Sequence, residues 1–396
     1  MNWVLFIGWS LAWAYCILLA WYSYWWMRIK KQEAPDNLQN LPGISVIIPA
    51  RNEEAALPKC LKSITEQEYP IQKVEVIVID DHSEDNTAAV ARSFSNITLL
   101  SLSDYTDDKQ IGFKKKAISM GVQKASGELI VSTDADCIMG KNWLLTLANT
   151  FYHNPDIQII AGPVALLPVA GKGLGKTVFS VFQQIDFLMY QGITGGGIKS
   201  RLHHLCNGAN LAYRKKAFFE VKGFEGNEQQ PSGDDVFLMQ KISRHFPKAA
   251  RYLKNKEAIV HTAAAETVRR FIQQRIRWAG KSAGYSEITI LPIMFLVFLL
   301  NLFILISFFG LIFTPVKTIF GTAFYFQLLG ILFLKTASEA LLLVPVLRFF
   351  KKEGMWFWLI ILQPLHIAYT VSSAFLALWG SYEWKGRSFR KQDLVK

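Results

Sequence analysis

Two kinds of apolar pattern alternate along the chain. The long kind runs from Trp3 to Met27 without a charge, and again over Ile288 to Phe313, Thr318 to Val346 and Met355 to Gly380. Each run meets the roughly 20 residues that a helix needs to cross a bilayer. The short kind fills the stretch from Gly43 to about Ala165. There Ile44 to Pro49, Val74 to Asp80, Ile97 to Leu100 and Glu128 to Val131 read as strands. Glu53 to Gln67, Glu84 to Phe94 and Phe113 to Ala125 read as helices between them. Near-continuous Val/Ile strands separated by helices predict an α/β domain with a parallel sheet covered on both faces. Such sheets bind ligands at the carboxyl ends of their strands, which is where the polar residues gather.

The first long run has no basic leader and no small-residue cleavage site, so it reads as a retained anchor rather than a signal peptide. Arg28, Lys30 and Lys31 follow it, and the positive-inside rule then places the next domain in the cytoplasm. The resulting division is an anchor over 1–30, a cytoplasmic domain over 43–285, about three membrane segments over 286–380 and a basic tail over 381–396. Four simple spans would leave the tail outside, yet Lys385, Arg387, Arg390 and Lys391 argue for inside. One of the later runs is therefore expected to be re-entrant or interfacial. Lys335 and Glu339 lie four apart within the third run. They read either as a neutralised pair inside a helix bundle or as part of an acceptor path.

Composition narrows the class. The 396 residues are 51% hydrophobic and only 19% charged, below the usual charged share of about 25%. Disorder, collagen and a small disulfide scaffold are excluded. The net charge of +12 sits largely beside the apolar runs, which favours an inner or plasma membrane over nucleic acid. No finger, homeodomain or RNA-recognition signature accompanies it. Cys16, Cys60, Cys137 and Cys206 are scattered, without zinc or disulfide spacing.

The candidate chemistry sits at strand ends and helix starts. The first strand leads into Pro49-Ala50-Arg51-Asn52-Glu53, and the second into Asp80-Asp81-His82-Ser83-Glu84-Asp85. A carboxylate at the second can accept from a nucleobase N–H or a ribose hydroxyl, while its neighbours form an Asx-type turn. The fourth strand leads into Asp134-Ala135-Asp136, an oxygen-rich pair suited to Mg²⁺ or Mn²⁺ when a diphosphate completes the coordination. Lys114 to Lys116 open the helix before that strand, and one lysine there suits a phosphate. Asn207-Gly208 allows close approach of a ligand to backbone. Asp234 and Asp235 begin a helix; a carboxylate there is either a cap or a general base for a hydroxyl. Gln274, Arg277 and Trp278 lie on a basic amphipathic stretch before the second long run. They read as an interfacial anchor, as a site motif, or as both. No Gly-x-Gly-x-x-Gly follows the first strand and no Walker lysine is present, which disfavours dinucleotide redox chemistry and P-loop hydrolysis.

In order, these motifs resemble the membrane-bound inverting glycosyltransferases of family 2. They are Pro49-x-x-Asn52-Glu53, Asp80-Asp81-x-Ser83-x-Asp85, Asp134-x-Asp136, Asp234-Asp235 and Gln274-x-x-Arg277-Trp278, covering about residues 43 to 281. The resemblance implies a GT-A, Rossmann-like fold, a UDP-sugar donor, Mg²⁺ or Mn²⁺, and transfer of a hexosyl or N-acetylhexosaminyl group. It assigns the uridine to Asp81 and the Pro49 to Glu53 loop, and the phosphate side to Lys114. Asp136 binds the metal, with Asp134 nearer ribose and diphosphate, and Asp80 lies on the nucleotide side. Asp235 matches the general base. Gln274, Arg277 and Trp278 match the motif beside acceptor and diphosphate, and Asn207, Gly208 and Asp234 lie on the acceptor side. The family usually has Glu-Asp where this chain has Asp234-Asp235. Lipid-directed members resemble this chain in Trp384-Lys385-Gly386-Arg387, so a lipid or lipid-linked acceptor is the first reading. A processive polysaccharide synthase is the alternative, and a non-catalytic nucleotide-binding scaffold is the third.

Overall fold

A computed structural model of the chain describes residues 2–30, 41–104, 113–228, 230, 232–281, 284–313, 321–379, 382–385 and 387–389. The tail residues Arg390 and Lys391, and Lys31 after the first helix, lie outside that description. In chain order the strands are β1 (Ile44–Ala50), β2 (Val74–Asp80), β3 (Ile97–Ser101), β4 (Leu129–Ser132), β5 (Ile138–Met139), β6 (Ile159–Ala161), β7 (Val164–Leu167), β8 (Leu211–Arg214), β9 (Ala250–Tyr252), β10 (Val260–Ala263), β11 (Tyr382–Trp384) and β12 (Arg387–Phe389). The α-helices are α1 (Asn2–Met27), α2 (Leu57–Thr65), α3 (Thr87–Arg92), α4 (Phe113–Lys124), α5 (Trp143–His153), α6 (Leu174–Ser200), α7 (Lys215–Glu220), α8 (Asp234–His245), α9 (Val268–Lys281), α10 (Ile290–Phe313), α11 (Gly321–Phe349), α12 (Trp356–Ile361) and α13 (Gln363–Trp379). They sort into two compact units. One comprises Ile29–Pro168, His204–Ala264 and Tyr382–Lys396; the other comprises Met1–Arg28, Val169–His203 and Ala265–Ser381.

The first unit is built on a seven-stranded sheet of order β3-β2-β1-β4-β8-β6-β9. Strands β3, β2, β1 and β4 are parallel, as their uniform Val/Ile runs predict. Beyond β4 the expectation of a parallel sheet is corrected. β8 runs antiparallel to both β4 and β6, so the sheet is mixed. Val46, Ile47, Ile48, Ile77, Val78, Ile130 and Val131 are fully buried, which explains why these strands read as continuous rather than alternating. Helix α4 lies close on the sheet at Gly121, where a Cβ would come within 2.9 Å of Ile47 and Ile79 side chains. A second sheet, β5-β10-β7, and a β11-β12 hairpin complete this unit.

The second unit is helical. Trp3–Met27, Ile290–Gly310 and Ala323–Phe349 are long and apolar enough to cross a membrane. The fourth apolar run is not one straight helix. Glu353–Ile361 and Gln363–Leu376 meet at 73°. The break precedes Pro364, which lacks the amide to continue the ladder and disfavours a helical residue before it. Inside this unit Lys335 Nζ lies 2.5 Å from Glu339 Oε1 and 2.8 Å from Gln363 Oε1. The Tyr15 hydroxyl donates to Glu339 at 2.9 Å, and the Gln363 amide donates to the other Glu339 oxygen. This supports the neutralised-pair reading: both charges are buried and paired, as low dielectric demands.

Candidate functional site

The parallel half of the sheet presents β1, β2 and β4 ends side by side, with Ala50 in register with Asp80. The loops that follow are laced together. Asn52 has φ +51°, a conformation Asn tolerates better than most residues. Its amide donates to Ser83 Oγ at 3.0 Å, while its side-chain oxygen accepts from the Glu84 amide at 2.9 Å. The Glu53 and Glu54 amides donate to Thr87 Oγ1 and Asp85 Oδ2 at 2.7 and 3.1 Å. Arg51 is buried, donating to the Asp81 carbonyl at 3.0 Å and lying 3.9 Å from its carboxylate. Asp81 also meets His82 Nδ1 at 3.0 Å. Asp80 differs: its Oδ1 is buried and has no hydrogen-bond partner among the described residues. A buried unpaired carboxylate oxygen is costly, and a nucleoside donor would satisfy it.

Asp134 and Asp136 follow β4. Lys114, from the start of α4, bridges two acidic segments, with Nζ 2.6 Å from Asp134 Oδ1 and 3.5 Å from Asp234 Oδ2. Burial alone would lower the Lys114 pKa, but Asp134, Asp234 and Asp235 outweigh it and hold the ammonium well above its ordinary range. The neighbouring Lys115 is buried and holds the carbonyls of Asn227 and Gln230 instead. Asp136 accepts from Thr262 at 3.2 Å. Burial, with help from Asp134, pushes the Asp136 carboxyl above its usual range, against the pull of Lys385.

Asp134, Asp136 and Cys137 offer ligand atoms within 4.8 Å of one another. Burial and the two carboxylates hold the Cys137 thiol protonated, which leaves hard oxygen donors. Two carboxylates fit Mg²⁺ or Mn²⁺ better than a soft, thiolate-loving ion.

Asp235 is the second residue of α8 and is pinned by backbone. Its Oδ2 accepts from the Gly208 amide at 3.0 Å and its Oδ1 from the Val236 amide at 2.9 Å. A Cβ on Gly208 would lie 3.4 Å from Lys114 Nζ and 3.5 Å from both Asp234 and Asp235, so the glycine lets this loop approach all three charges. Asn207 Oδ1 caps the following turn through the Ala209 amide at 2.9 Å. Lys114, Asp134, Gly208, Asp234 and Asp235 therefore form one contact cluster drawn from four separate stretches of the sequence.

Gln274, Arg277 and Trp278 lie on α9, in the helical unit. Two residues the motif reading passed over stand out there. Arg275, between the motif positions, is 3% exposed and lies 2.6 Å from Asp186 of α6. Its guanidinium sits 4.2 Å from the Trp278 ring centroid. Asp186 gave no sequence signal beyond being a charge within an apolar helix. The third missed residue is Lys385 at the β11-β12 turn. Its Nζ donates to Glu53 and, at 2.8 Å, to the Arg51 carbonyl. Burial pushes the Glu53 carboxyl up; Lys385 draws it down, and Asp136 and Asp134 push it up again.

Residues 45–220 match the model of Glycosyl transferase family 2; this stretch is a glycosyl transferase family 2 domain. It contains β1 to β8 and the Asp134-Asp136 pair, and ends before Asp235. The chain is 39% identical over 128 residues to the glycosyltransferase AglE of Haloferax volcanii, covering 31% of this chain and 40% of that one. It is 36% identical over 151 residues to the 4,4'-diaponeurosporenoate glycosyltransferase of Staphylococcus aureus, covering 38% and 37%. The chain thus spans about two fifths of the length of these curated relatives. Among solved structures, the mannosyltransferase PcManGT from Pyrobaculum calidifontis, in complex with GDP-Man and Mn2+, superposes with a TM-score of 0.58 at 20% identity. That match covers 95% of this chain and 98% of that one. The likeness is one of fold, a mixed α/β domain built on a central sheet.

Proposed function

We propose that the chain is a membrane-bound inverting glycosyltransferase moving a sugar from a UDP-sugar to a hydroxyl of a membrane lipid or lipid-linked acceptor. The observation that carries the reading is Lys114 held between Asp134 and Asp234, beside Asp136 and the amide-pinned Asp235, at the carboxyl end of a family 2 sheet. The apolar helices and a relative named for 4,4'-diaponeurosporenoate support an acceptor of membrane character. In this reading 43–285 is the cytoplasmic catalytic domain, 1–30 its anchor, 286–380 the remaining membrane segments and 381–396 a basic tail.

The residues divide the work by their surroundings. Asp80 Oδ1, buried and lacking a described partner, accepts from the donor's base or ribose. Asp81 and the Pro49 to Glu53 loop form the nucleoside wall, kept rigid by the Arg51 and Asn52 ties. Lys114, held protonated, faces the diphosphate. A divalent cation at Asp134 and Asp136, when bound, offsets charge growing on the leaving diphosphate. Asp235 acts as general base. Two backbone amides fix its carboxylate, and its remaining lone pairs accept the acceptor's proton as the hydroxyl oxygen bonds to the anomeric carbon. The bond to the donor phosphate oxygen breaks on the opposite face, its electron pair leaves with the nucleotide, and the configuration inverts. Gln274, Arg277 and Trp278 serve the acceptor and diphosphate side.

The test is to incubate membranes containing the protein with labelled UDP-sugars, and with GDP-Man because PcManGT was solved with it. Label is expected in the organic extract. Label confined to water-soluble high polymer would replace this reading with the processive synthase.

A further inference from the structure

We propose that Asp186 and Arg275 are positioning residues for the acceptor: they hold the Trp278 ring in place as a wall on which the apolar part of a lipid acceptor is seated. This rests on the glycosyl-transfer reading with a lipid acceptor, and adds to it two residues of the helical unit that the motif leaves unassigned.

Three observations carry it. First, stability alone does not account for the pair. Both residues are buried, with Arg275 Nη2 2.6 Å from Asp186 Oδ2. Yet Nε and Nη1 of the same guanidinium are buried without a hydrogen-bond partner among the described residues. A buried ion pair with donors left over is a cost that apolar side chains of similar size would avoid. Second, rings pack the guanidinium instead. Its carbon lies 4.2 Å from the Trp278 centroid, 4.7 Å from Phe271 and 5.8 Å from Tyr190. Phe271, Arg275 and Trp278 are four and three residues apart on α9, hence on one face. A desolvated cation over a ring face is an oriented contact, so turning Trp278 breaks it. Third, α6 holds the α9 segment at two points. Besides Asp186, Gln183 donates to the Ala265 carbonyl at 3.0 Å and accepts from the Ala265 amide at 2.9 Å. Phe187 and Tyr190 of the same helix flank Trp278 at 6.1 and 6.4 Å between centroids.

The order of dependence follows. Asp186 fixes the guanidinium, and the guanidinium fixes the ring. Trp278 is only half-buried and Tyr190 is 44% exposed, so aromatic surface is left uncovered beside the clamp. Such surface takes an apolar chain while its polar edge stays near the hydroxyl that reacts. A lysine could not do the same work at position 275. Its ammonium would pair with Asp186, but it is a point charge with no plane to stack against Trp278.

The test uses the full-length protein purified in detergent, with labelled UDP-sugars or GDP-Man as donors. The total lipid extract of the host membranes is added back in rising amounts, and transfer into lipid is followed. Asp186→Leu combined with Arg275→Met should fold, yet need about tenfold more lipid for half-maximal rate. Its turnover at saturating lipid and its donor requirement should stay within about twofold, the signature of lost acceptor binding alone. Arg275→Lys should melt near the wild type and still need about fivefold more lipid. In a Trp278→Leu background the double replacement should add less than about twofold, because its effect runs through that ring. An unchanged lipid requirement, a loss confined to turnover or to the donor, or a full shift in the Trp278→Leu background would overturn the positioning role while leaving the transferase reading intact. A double variant that fails to fold would overturn it too, since the pair would then be a structural necessity. A wild type that labels no lipid with any donor would overturn that reading and this inference with it.

Discussion

Asp235 and Asp85 show how two similar side chains take different roles from their neighbours. Asp235 is buried at a helix start with both oxygens on amides, beside Gly208 and the Lys114 cluster, and this is the setting of the general base proposed above. Asp85 is a turn former. Burial pushes its carboxyl up, but bonds from the Thr87 hydroxyl and the Glu54 and Thr87 amides together outweigh it and leave it below the ordinary value. A depressed carboxylate stabilises the fold fully above its unfolded pKa of about 3.9, and the contribution is lost as pH falls through the lower folded value. The expected outcome is that wild type loses thermal stability below about pH 4 more steeply than Asp85→Asn. Melting curves between neutral and acid pH check this. Parallel curves would remove Asp85 from the account.

At the scale of elements, α9 depends on a charge clamp. Arg275 and Asp186 are both buried, 2.6 Å apart, with the Trp278 ring against the guanidinium. Removing one partner strands a buried charge and costs about 3–5 kcal/mol, whereas replacing both by apolar residues is often neutral. Asp186→Leu is therefore expected to lower the melting temperature clearly, and Asp186→Leu with Arg275→Met to restore most of it. Measuring both in detergent separates a clamp from a bystander pair. The sequence made the neighbouring motif residues visible but not this clamp, because α6 and α9 are far apart along the chain and one charge in an apolar helix has many explanations. The strands were legible for the opposite reason. β2 is Val74–Asp80, the boundaries that the Val/Ile run and its terminal aspartates indicate. The antiparallel β8 was not legible, since Leu211–Arg214 is only four residues long and strand direction leaves no trace in so short a run. Lys385 was visible as part of a basic tail, yet its partner Glu53 could not be named without the fold.

For the whole molecule, the hairpin ties the residues after the last apolar run to the sheet unit. Lys385 is bonded to Arg51 and Glu53, within the sheet unit. In the proposed topology the bent pair of Glu353–Ile361 and Gln363–Leu376 is a re-entrant segment rather than a fourth span, which would reconcile the apolar runs with the basic tail. Single cysteines placed at Glu353 and at Ser388, in a background lacking the native thiols, should both react with an impermeant reagent from the side on which the sheet lies. Labelling of the two from opposite sides would show a true fourth crossing.

The central claim is that Asp235 takes the acceptor's proton in a single displacement. Its most direct measurement is transfer of labelled sugar by Asp235→Asn beside wild type, with nucleoside diphosphate binding measured on the same preparations. Turnover is expected to fall about a thousandfold or more, at the scale of a lost general base, with diphosphate affinity changed less than about twofold. Turnover at the wild-type level in Asp235→Asn, with binding intact, would contradict it.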